Sequence, residues 1–304
     1  MRVFITGGTG LVGIRLVKLL RDRGDDVLLL TRRPDAVKAL ADTHVHIVGG
    51  DPVQPGPWMD AIAECDAVIH LAGEGIFGRR WSQAFKDLLY SSRIKSTENI
   101  VAALAKAPPR SRTFICGSAI GFYGPHGDEE LTEESIAGND FLAKICFDWE
   151  RAAQAATAHG IRVATVRTGI VLDPAGGALA KMLTPFKMFV GGPIGSGRQF
   201  MSWIHNDDLC RLFLHILDHP ELSGPFNGTA PTPVSNRDFS TALGKVLGRP
   251  SFLPTPGFAL RVLLGESANI ITQGQRVPPR KALAGGFVFK FNDVESALRD
   301  LLAK

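Results

Sequence analysis

Three glycines near the start of the chain have the spacing of a loop that binds a pyrophosphate. Gly7, Gly10 and Gly13 follow an apolar run typical of a strand and open a segment with helical periodicity. In such a loop one glycine permits a tight turn, one lets the backbone approach the phosphates, and one lets helix and strand pack closely. Amide groups that begin a helix lack intrahelical partners and face the phosphates. The residues that we expect to contact a dinucleotide here are the three glycines, Thr9, Leu11 and Val12.

The residues after the second predicted strand favour NADP(H) over NAD(H). An NAD-specific site usually has Asp or Glu there, because a carboxylate accepts hydrogen bonds from the ribose hydroxyls. Here Arg32 and Arg33 follow the strand, and the nearest carboxylate, Asp35, lies beyond a proline. Guanidinium groups suit the 2′-phosphate of NADP(H), although two arginines at a helix start can also be solvated. Asp51, after the third strand, can accept from the adenine amino group or cap the next helix.

Alternating strands and helices must position this loop. Six apolar runs, several of them continuous, are typical of parallel strands covered on both faces. They are Arg2–Thr6, Asp26–Thr31, Val45–Val48, Ala67–Ala72, Thr113–Gly117 and Val163–Thr168. Helices are predicted at Gly10–Asp25, Pro34–Thr43, Pro57–Glu64, Trp81–Ala107 and Asn139–His159. The alternation predicts an α/β fold with a Rossmann-type doubly wound parallel sheet, whose ligands bind at the carboxyl ends of the strands.

The pattern changes after residue 174, where glycine and proline become frequent. We expect a dinucleotide-binding domain over residues 1–174, with a returning segment near residues 200–230. Residues 175–304 would form a smaller, mainly substrate-binding and C-terminal region built against the first domain. Helices are predicted in this second part at Asn206–His219, Asn236–Leu247 and Asp293–Leu302.

Composition argues against several classes of protein. Hydrophobic residues make up 45% of the 304 residues and charged residues 21%, with a net charge of +4, which is ordinary for a globular protein. No basic run indicates nucleic-acid binding, and no apolar stretch reaches the roughly 18 residues of a membrane span. The N-terminus does not resemble a signal peptide, and the four cysteines lack disulfide or metal-site spacing. We therefore expect a cytoplasmic monomer or homodimer with a small-molecule substrate, no metal, and no nucleic-acid or membrane partner.

Four motifs resemble those of extended short-chain dehydrogenases/reductases. They are Thr6–Gly13, His70-Leu71-Ala72-Gly73, Ser118–Gly124 and Gly195–Asp208. Later stretches resemble the C-terminal domain of unknown function of an atypical "epimerase family" subgroup, which is NAD(P)-dependent epimerase/dehydratase-like. These stretches are Arg261–Leu264, Gln275–Pro278 and Gly286–Phe289. The resemblance covers essentially the whole chain and implies that Leu71, Ala72 and Gly73 contact the cofactor.

The resemblance also implies a catalytic set from which this chain departs. Ordinary members use Ser, Tyr and Lys: Tyr exchanges a proton with the substrate oxygen, and Lys lowers the Tyr pKa and binds the nicotinamide ribose. Ser118 matches the serine, whereas Leu142 and Cys146 stand at the Tyr and Lys positions, and Arg93 replaces an Asn. Cys146 becomes a candidate proton donor if Arg93 or a phosphate lowers its pKa, and is otherwise a packing thiol. Tyr123 is a further candidate acid.

Helix spacing indicates which of these residues share a face. Residues four apart lie on one side, so Leu142, Cys146 and Glu150 line up toward the site, whereas Lys144 lies about 200° from Cys146. Arg93 binds an anionic substrate group or the cofactor if it points inward, and is a surface charge if it points outward.

The substrate side departs from the nucleotide-sugar enzymes that share this fold. Those enzymes usually bind a diphosphate through an Arg, and Met201 stands at that position. Arg198 or Arg167 can replace it, and Arg167 is also a candidate cofactor contact. The residues that we expect on the substrate side, in a pocket with apolar or aromatic walls, are Glu74, Trp81, Gln199, Ser202 and Trp203.

Three functions remain open at this point. The first is an NADP(H)-dependent oxidoreductase in which Ser118 orients a carbonyl or an activated double bond, and water, Cys146 or Tyr123 supplies the proton. The second is an NADP(H)-binding regulatory or interaction protein without catalysis, because the Tyr and Lys of the family are missing. The third is a nucleotide-sugar epimerase with unusual residues.

Overall fold

A sheet of seven parallel strands forms the centre of the molecule in a computed structural model, which describes residues 1–77, 79–108, 110 and 112–303. The side chains at positions 259, 261, 263 and 264 also lie outside the description, and with them most of the Arg261–Leu264 stretch. The strands of the described residues include these seven and four short ones that form two small separate sheets. They are β1 (Arg2–Thr6), β2 (Asp26–Thr31), β3 (Val45–Gly49), β4 (Ala67–His70), β5 (Thr113–Ala119), β6 (Arg162–Thr168), β7 (Ile170–Leu172), β8 (Phe200–Met201), β9 (Trp203–His205), β10 (Gly224–Gly228) and β11 (Val234–Ser235).

The α-helices of the described residues separate these strands and fill the C-terminal region. They are α1 (Leu11–Asp22), α2 (Gln83–Lys106), α3 (Phe141–Gln154), α4 (Gly177–Lys187), α5 (Asn206–Asp218), α6 (Asn236–Leu247), α7 (Gly257–Leu264), α8 (Asn269–Thr272), α9 (Arg280–Ala284) and α10 (Val294–Leu302). Short 3₁₀ segments lie at Pro34–Leu40, Pro57–Glu64, Ile120–Tyr123, Ala155–His159 and Gly265–Ala268.

The order of the seven strands confirms the predicted doubly wound sheet. Across the sheet they run β3, β2, β1, β4, β5, β6 and β10. β1 pairs with β2 on one side, where Arg2 lies opposite Asp26, and with β4 on the other, where Val3 lies opposite Ala67. The chain therefore reverses its direction of winding between β1 and β4. In open α/β sheets, ligands bind in the crevice that this reversal opens at the carboxyl ends of the strands.

Helices cover both faces of the sheet, which explains the continuous apolar character of its strands. In β1, Val3 and Ile5 join a buried cluster with residues of α1 and α5, whereas Phe4 joins a second cluster with residues of α2 and α3. A third cluster, which contains Trp203 and Phe239, forms the core of the C-terminal region.

The structure corrects several predicted boundaries. The helices predicted at 34–43 and 57–64 are 3₁₀ segments, and the first buries no residue, so no packing selects α-helical geometry there. β4 ends at His70 instead of continuing to Ala72. β5 continues to Ala119, because Ser118 and Ala119 pair with the end of β6. The seventh strand, β10, lies in a stretch where the sequence predicted no strand.

Candidate functional site

The glycine loop between β1 and α1 lies where the winding of the sheet reverses, and its three glycines have different structural roles. Gly7 has φ +72°, and a Cβ there would lie 2.6 Å from the backbone carbon of Leu71. A Cβ on Gly13 would lie 2.2 Å from the Gly7 carbonyl oxygen. At Gly10 the same oxygen, at 3.3 Å, is the one atom of the described residues, chain neighbours aside, within 4 Å of an added Cβ. Gly7 and Gly13 therefore shape the loop, whereas Gly10 leaves open space beside it.

The start of α1 is suited to an anion. Gly10 is the N-cap, no side-chain cap bonds the first amides among the residues that the structure describes, and the first turn contains no acidic residue. Thr9 and Gly10 are exposed, and Leu11 and Val12 are half-buried. Free amides and the positive end of the helix dipole together favour a phosphate group. The residues present therefore fit the pyrophosphate of a dinucleotide.

The end of β2 presents positive charge without a neutralising partner. Arg32 and Arg33 are exposed, and neither guanidinium has a side-chain partner in the described part of the chain. The carboxylate of Asp35 pairs instead with a lysine three residues later, at 2.6 Å. Asp51 accepts a hydrogen bond from the Val53 amide at 3.0 Å, so it caps its own turn instead of the following helix.

A buried chain of hydrogen bonds ties the ends of β1 and β4 to α2. The Ala72 amide donates to Thr6 Oγ1 at 3.3 Å, Thr6 Oγ1 lies 2.5 Å from His70 Nδ1, and His70 Nε2 lies 3.1 Å from Ser96 Oγ. Ser96 Oγ in turn donates to the Ser92 carbonyl. Burial, with a smaller effect of a nearby arginine, lowers the pKa of His70 to about 3. This neutral histidine holds the carboxyl ends of β1 and β4 against α2.

Arg93 points inward from α2 toward the end of β4. Its Nη1 donates to the Leu89 carbonyl at 3.1 Å and its Nη2 to the Glu74 carbonyl at 2.9 Å. The guanidinium carbon lies 5.3 Å from the centre of the Trp149 ring and 3.1 Å from where a Cβ on Gly73 would stand. Burial lowers the pKa of Arg93, and no ion pair neutralises it among the described residues. An unpaired, mostly desolvated cation favours an anion or an electron-rich oxygen as ligand.

Ser118, at the end of β5, is held by a buried ion pair. Its hydroxyl donates to Glu150 Oε1 at 2.7 Å. Glu150 also accepts two hydrogen bonds of 2.8 Å from Arg167, and the two side chains are 13% and 4% exposed. Burial alone would lower the pKa of Arg167, but the bonds with Glu150 raise it. Because the Ser118 proton is directed to Glu150, the lone pairs of its oxygen stay available to a ligand.

The same network continues into the C-terminal region. Arg167 Nη1 donates to the Tyr123 hydroxyl at 3.0 Å, and that hydroxyl donates to Asn227 Oδ1 at 2.6 Å. Asn227 Nδ2 then donates to the Pro278 carbonyl at 3.1 Å. Residues of β5, β6, α3 and β10 therefore hold Ser118 as one unit.

Comparison with known proteins accounts for nearly the whole chain. Residues 3–227 match the model of the NAD dependent epimerase/dehydratase family, and residues 255–301 match a domain of unknown function. The chain belongs to the NAD dependent epimerase/dehydratase family. This confirms the resemblance that the glycine loop and the later motifs indicated.

Individual relatives of this family member are similar over most or all of its length. The Arabidopsis thaliana protein "Epimerase family protein SDR39U1 homolog, chloroplastic" is 40% identical over 99% of this chain and 87% of its own. The crystal structure of human epimerase family protein SDR39U1 (isoform 2) with NADPH is 33% identical, with a TM-score of 0.87 and full coverage of both chains. A Corynebacterium glutamicum structure described as a nucleoside-diphosphate sugar epimerase is 32% identical, with a TM-score of 0.80, and the match covers this whole chain and 59% of that one.

Two candidate acids of this family member are unsuited to proton transfer. Burial, reinforced by Glu150 and opposed by Arg93, raises the pKa of Cys146 to about 12. Arg93 lowers this pKa by less than burial raises it, so the net shift is upward, and Cys146 packs in an apolar cluster. Tyr123 is fully buried, its hydroxyl is used by two side chains, and burial raises its pKa to about 12 as well.

The pairing of Arg167 with Glu150 and Tyr123 also argues against the predicted cofactor contact of Arg167. Its guanidinium is buried, and all three of its nitrogens donate within the protein. Lys144, by contrast, is exposed, in agreement with its predicted place on a different helix face from Cys146, and it pairs with Asp148 at 3.1 Å.

Three expected substrate contacts have structural roles instead. Trp203 is fully buried, and its Nε1 donates to a backbone carbonyl at 3.0 Å. The Ser202 hydroxyl is buried between two backbone groups of residues 275–277, at 2.7 and 2.9 Å. The Gln199 amide donates to the backbone carbonyls of two separate segments. These side chains join the C-terminal region to the sheet, which argues against direct substrate contact.

Glu74 and Trp81 stay predictions for the substrate side. Both are half-buried and belong to the segment between β4 and α2. The Trp81 ring packs 5.5 Å from the Phe141 ring, and its Nε1 donates to the Ile76 carbonyl at 2.9 Å. The Glu74 carboxylate lies 4.0 Å from a guanidinium nitrogen of Arg79.

Sequence reasoning missed His70 and Asn227 and gave Glu150 no role. Helix spacing placed Glu150 toward the site, so the signal was present. His70 lies in one of the recognised motifs, but nothing local shows its two partners. Asn227 lies on the strand that was not predicted.

The described residues contain no group of three His, Cys, Asp or Glu side chains that could hold a metal ion. The helices within them are all too short or too polar to cross a bilayer. The four cysteines are buried, and none forms a disulfide.

Proposed function

We propose that this family member binds NADPH between β1 and β4 and reduces a carbonyl group or an activated double bond. The observation that carries the proposal is the uncapped start of α1, with open space at Gly10 and unpaired Arg32 and Arg33 at the end of β2. The first feature suits a pyrophosphate, and the second suits a 2′-phosphate. The human relative crystallised with NADPH supports this choice of cofactor.

Arg93 and Ser118 are the residues that would act on the substrate. NADPH supplies a hydride when it is bound. Arg93 retains N–H groups beyond the two that bind carbonyl oxygens, and these stabilise negative charge on the substrate oxygen. Ser118 contacts the same oxygen and, with Glu150, relays its proton. In the alcohol-to-carbonyl direction, the alcohol proton passes to Ser118 Oγ while the Ser118 proton passes to Glu150. Reduction runs along the same path in reverse, and it starts after Glu150 has taken up a proton from solvent water.

A screen for NADPH oxidation tests this function. Purified protein with NADPH is mixed with aldehydes, ketones, quinones and enones, and absorbance at the NADPH band is followed. We expect turnover with at least one class, and a loss of about 100-fold or more in kcat/KM for Arg93→Met and for Ser118→Ala, as for removal of an oxyanion-stabilising group. NADPH binding, measured by calorimetry, should stay near the wild-type value in Ser118→Ala. Tight NADPH binding without turnover would instead support a regulatory or interaction protein.

The description of the Corynebacterium glutamicum relative favours a second candidate, a nucleotide-sugar epimerase. Against it, Met201, at the position of the diphosphate-binding Arg, is buried, and Ser202 is used structurally. Thermal-shift measurements with UDP- and GDP-sugars separate the two functions. Stabilisation by any of these sugars, without turnover in the screen, would favour the epimerase.

A further inference from the structure

Two segments of the C-terminal region present large apolar side chains to solvent side by side. Met188, Phe189 and Val190 follow α4, and Phe252 and Leu253 precede α7. These five residues, here called the apolar patch, are each between 41% and 73% exposed. The segments are joined, because the Leu253 amide donates to the Gly191 carbonyl at 3.3 Å.

Helix α7 extends this exposed surface. It begins two residues after Thr255, which bridges to Ile194. Phe258 and Val262, four residues apart and so on one helix face, are each 73% exposed. Seven of the 14 exposed large apolar residues in the described part of the chain thus lie within residues 188–190 and 252–262. Isolated exposed apolar residues are ordinary, whereas a contiguous group marks an interaction surface.

The two stretches of chain that carry the apolar patch contain charges of one sign only. Residues 174–206 contain Lys181, Lys187 and Arg198, and residues 246–265 contain Arg249 and Arg261, with no Asp or Glu in either stretch. The Arg249 guanidinium lies 4.4 Å from the centre of the Phe189 ring. Exposed apolar side chains on stretches that carry cations and no acidic residue match the surface of a bilayer that contains anionic lipids.

The backbone at Phe189 is an independent sign that this surface is used. Its φ is +63°, and no other non-glycine residue in the described chain has a positive φ. Hydrogen bonds from the amides of Phe189 and Val190 back into the end of α4 hold this conformation. A left-handed conformation is unfavourable for a bulky residue, and such strain collects at ligand-contacting sites. Here it holds an aromatic ring outward, where no burial within the chain offsets it.

We propose that the apolar patch docks this protein on the surface of a membrane rich in anionic phospholipid. The apolar side chains enter the headgroup region, and Lys187 and Arg249 contact the lipid phosphates. This mode of binding requires no membrane-spanning helix, so it departs from the expectation of no membrane partner, which rested on the lack of an apolar span. It is independent of the proposed reaction.

Sedimentation with vesicles tests the docking. The full chain is mixed with vesicles of phosphatidylcholine alone or with one quarter phosphatidylglycerol, at low and high NaCl. We expect binding to the anionic vesicles only, and weaker binding at high salt. Since each basic residue near an anionic surface contributes a factor of about five, Lys187→Gln with Arg249→Gln should weaken binding about 30-fold. Phe189→Asn, which tolerates the left-handed backbone, should weaken it about tenfold through the lost apolar contact.

The matched control is Ile136→Ser, which removes an 87% exposed apolar side chain elsewhere on the surface. It should bind as the wild type does, and thermal unfolding of all variants should confirm that they are folded. Phe189→Trp adds a readout at the patch: brominated lipid on anionic vesicles should quench its tryptophan fluorescence more than that of the wild type, which has four native tryptophans. The proposal is overturned by absence of vesicle binding, by equal binding to both lipid compositions, or by an equal loss in Ile136→Ser.

Discussion

Replacing Gly10 by alanine should separate cofactor binding from folding. Apart from its chain neighbours, the added Cβ meets one atom of the described residues within 4 Å, the Gly7 carbonyl oxygen at 3.3 Å, and the N-cap backbone is extended, with φ −83° and ψ 175°. Alanine therefore fits the folded chain once this oxygen shifts by a few tenths of an ångström. The methyl group, however, stands in the open space where we place the pyrophosphate.

The expected size of the effect follows from the hydrogen bonds between backbone amides and the pyrophosphate that the methyl group would prevent. A hydrogen bond to a charged group contributes about 1.5–3 kcal/mol, so the loss of one such bond weakens NADPH binding about 10- to 150-fold. For stability, the N-cap preference for glycine costs alanine under about 1 kcal/mol, and the less flexible unfolded chain offsets it by a similar amount, about 0.4–1 kcal/mol. Calorimetric titration with NADPH and denaturant unfolding measure the two quantities.

Two neighbouring substitutions complete the experiment. In Gly13→Ala, a Cβ 2.2 Å from the Gly7 carbonyl oxygen must displace backbone, so the unfolding free energy should fall by about 1–3 kcal/mol. Gly127→Ala adds its Cβ to open space and should change neither quantity. If Gly10→Ala binds NADPH as tightly as the wild type, the pyrophosphate does not lie beside Gly10, and the assignment of the cleft is wrong.

Three further outcomes are expected. Replacing Arg32 and Arg33 together by alanine should weaken NADPH binding at least about tenfold and leave NADH binding unchanged, since one charged hydrogen bond to the 2′-phosphate is lost; equal losses for both cofactors in calorimetry would contradict this. Because burial raises the pKa of Cys146 to about 12, its thiol should resist iodoacetamide at pH 8 in the folded protein and react after unfolding, as peptide mass spectrometry would show. Burial lowers the pKa of His70 to about 3, so the stability that its neutral form provides is complete above pH ~6.5. As the pH falls below that value, the free energy of unfolding should fall by at most about 1.4 kcal/mol per pH unit. Denaturant unfolding at pH 6 and pH 5 should show a smaller fall in His70→Asn than in the wild type.

The sheet and the glycine loop were predictable because their signals are local. A buried parallel strand needs apolar residues on both faces, and β1 has three in a row, Val3, Phe4 and Ile5. The glycine spacing predicts the turn because the geometry of the turn depends on residues that are close together in the sequence. The face of α3 that points toward the site was also predictable, because residues four apart lie on one side of a helix.

The chemistry of the site was less predictable because it depends on partners far along the chain. The sequence places Cys146 near a cation, but its pKa is decided by burial, which no local pattern reveals. Ser202 and Trp203 lie in a recognised motif, yet their partners at residues 232, 275 and 277 come from the C-terminal region. Tyr123 is similar, since its hydroxyl is held by Arg167 and by Asn227 on a strand with a weak apolar pattern.

The charges in the cleft argue for chemistry on an oxygen that becomes negative. Glu150 and Arg167 neutralise each other in a two-bond pair, so that pair orients Ser118 without adding net charge. Arg93 is held by carbonyl oxygens, which fix its position but leave its positive charge in place. Burying most of an unpaired cation costs free energy in the protein without ligand. Its electrostatic stabilisation is largest when an oxygen beside it acquires negative charge. The chain thus retains a positive charge at the site although Cys146 stands at the family's lysine position, because α2, which packs beside α3, supplies it through Arg93.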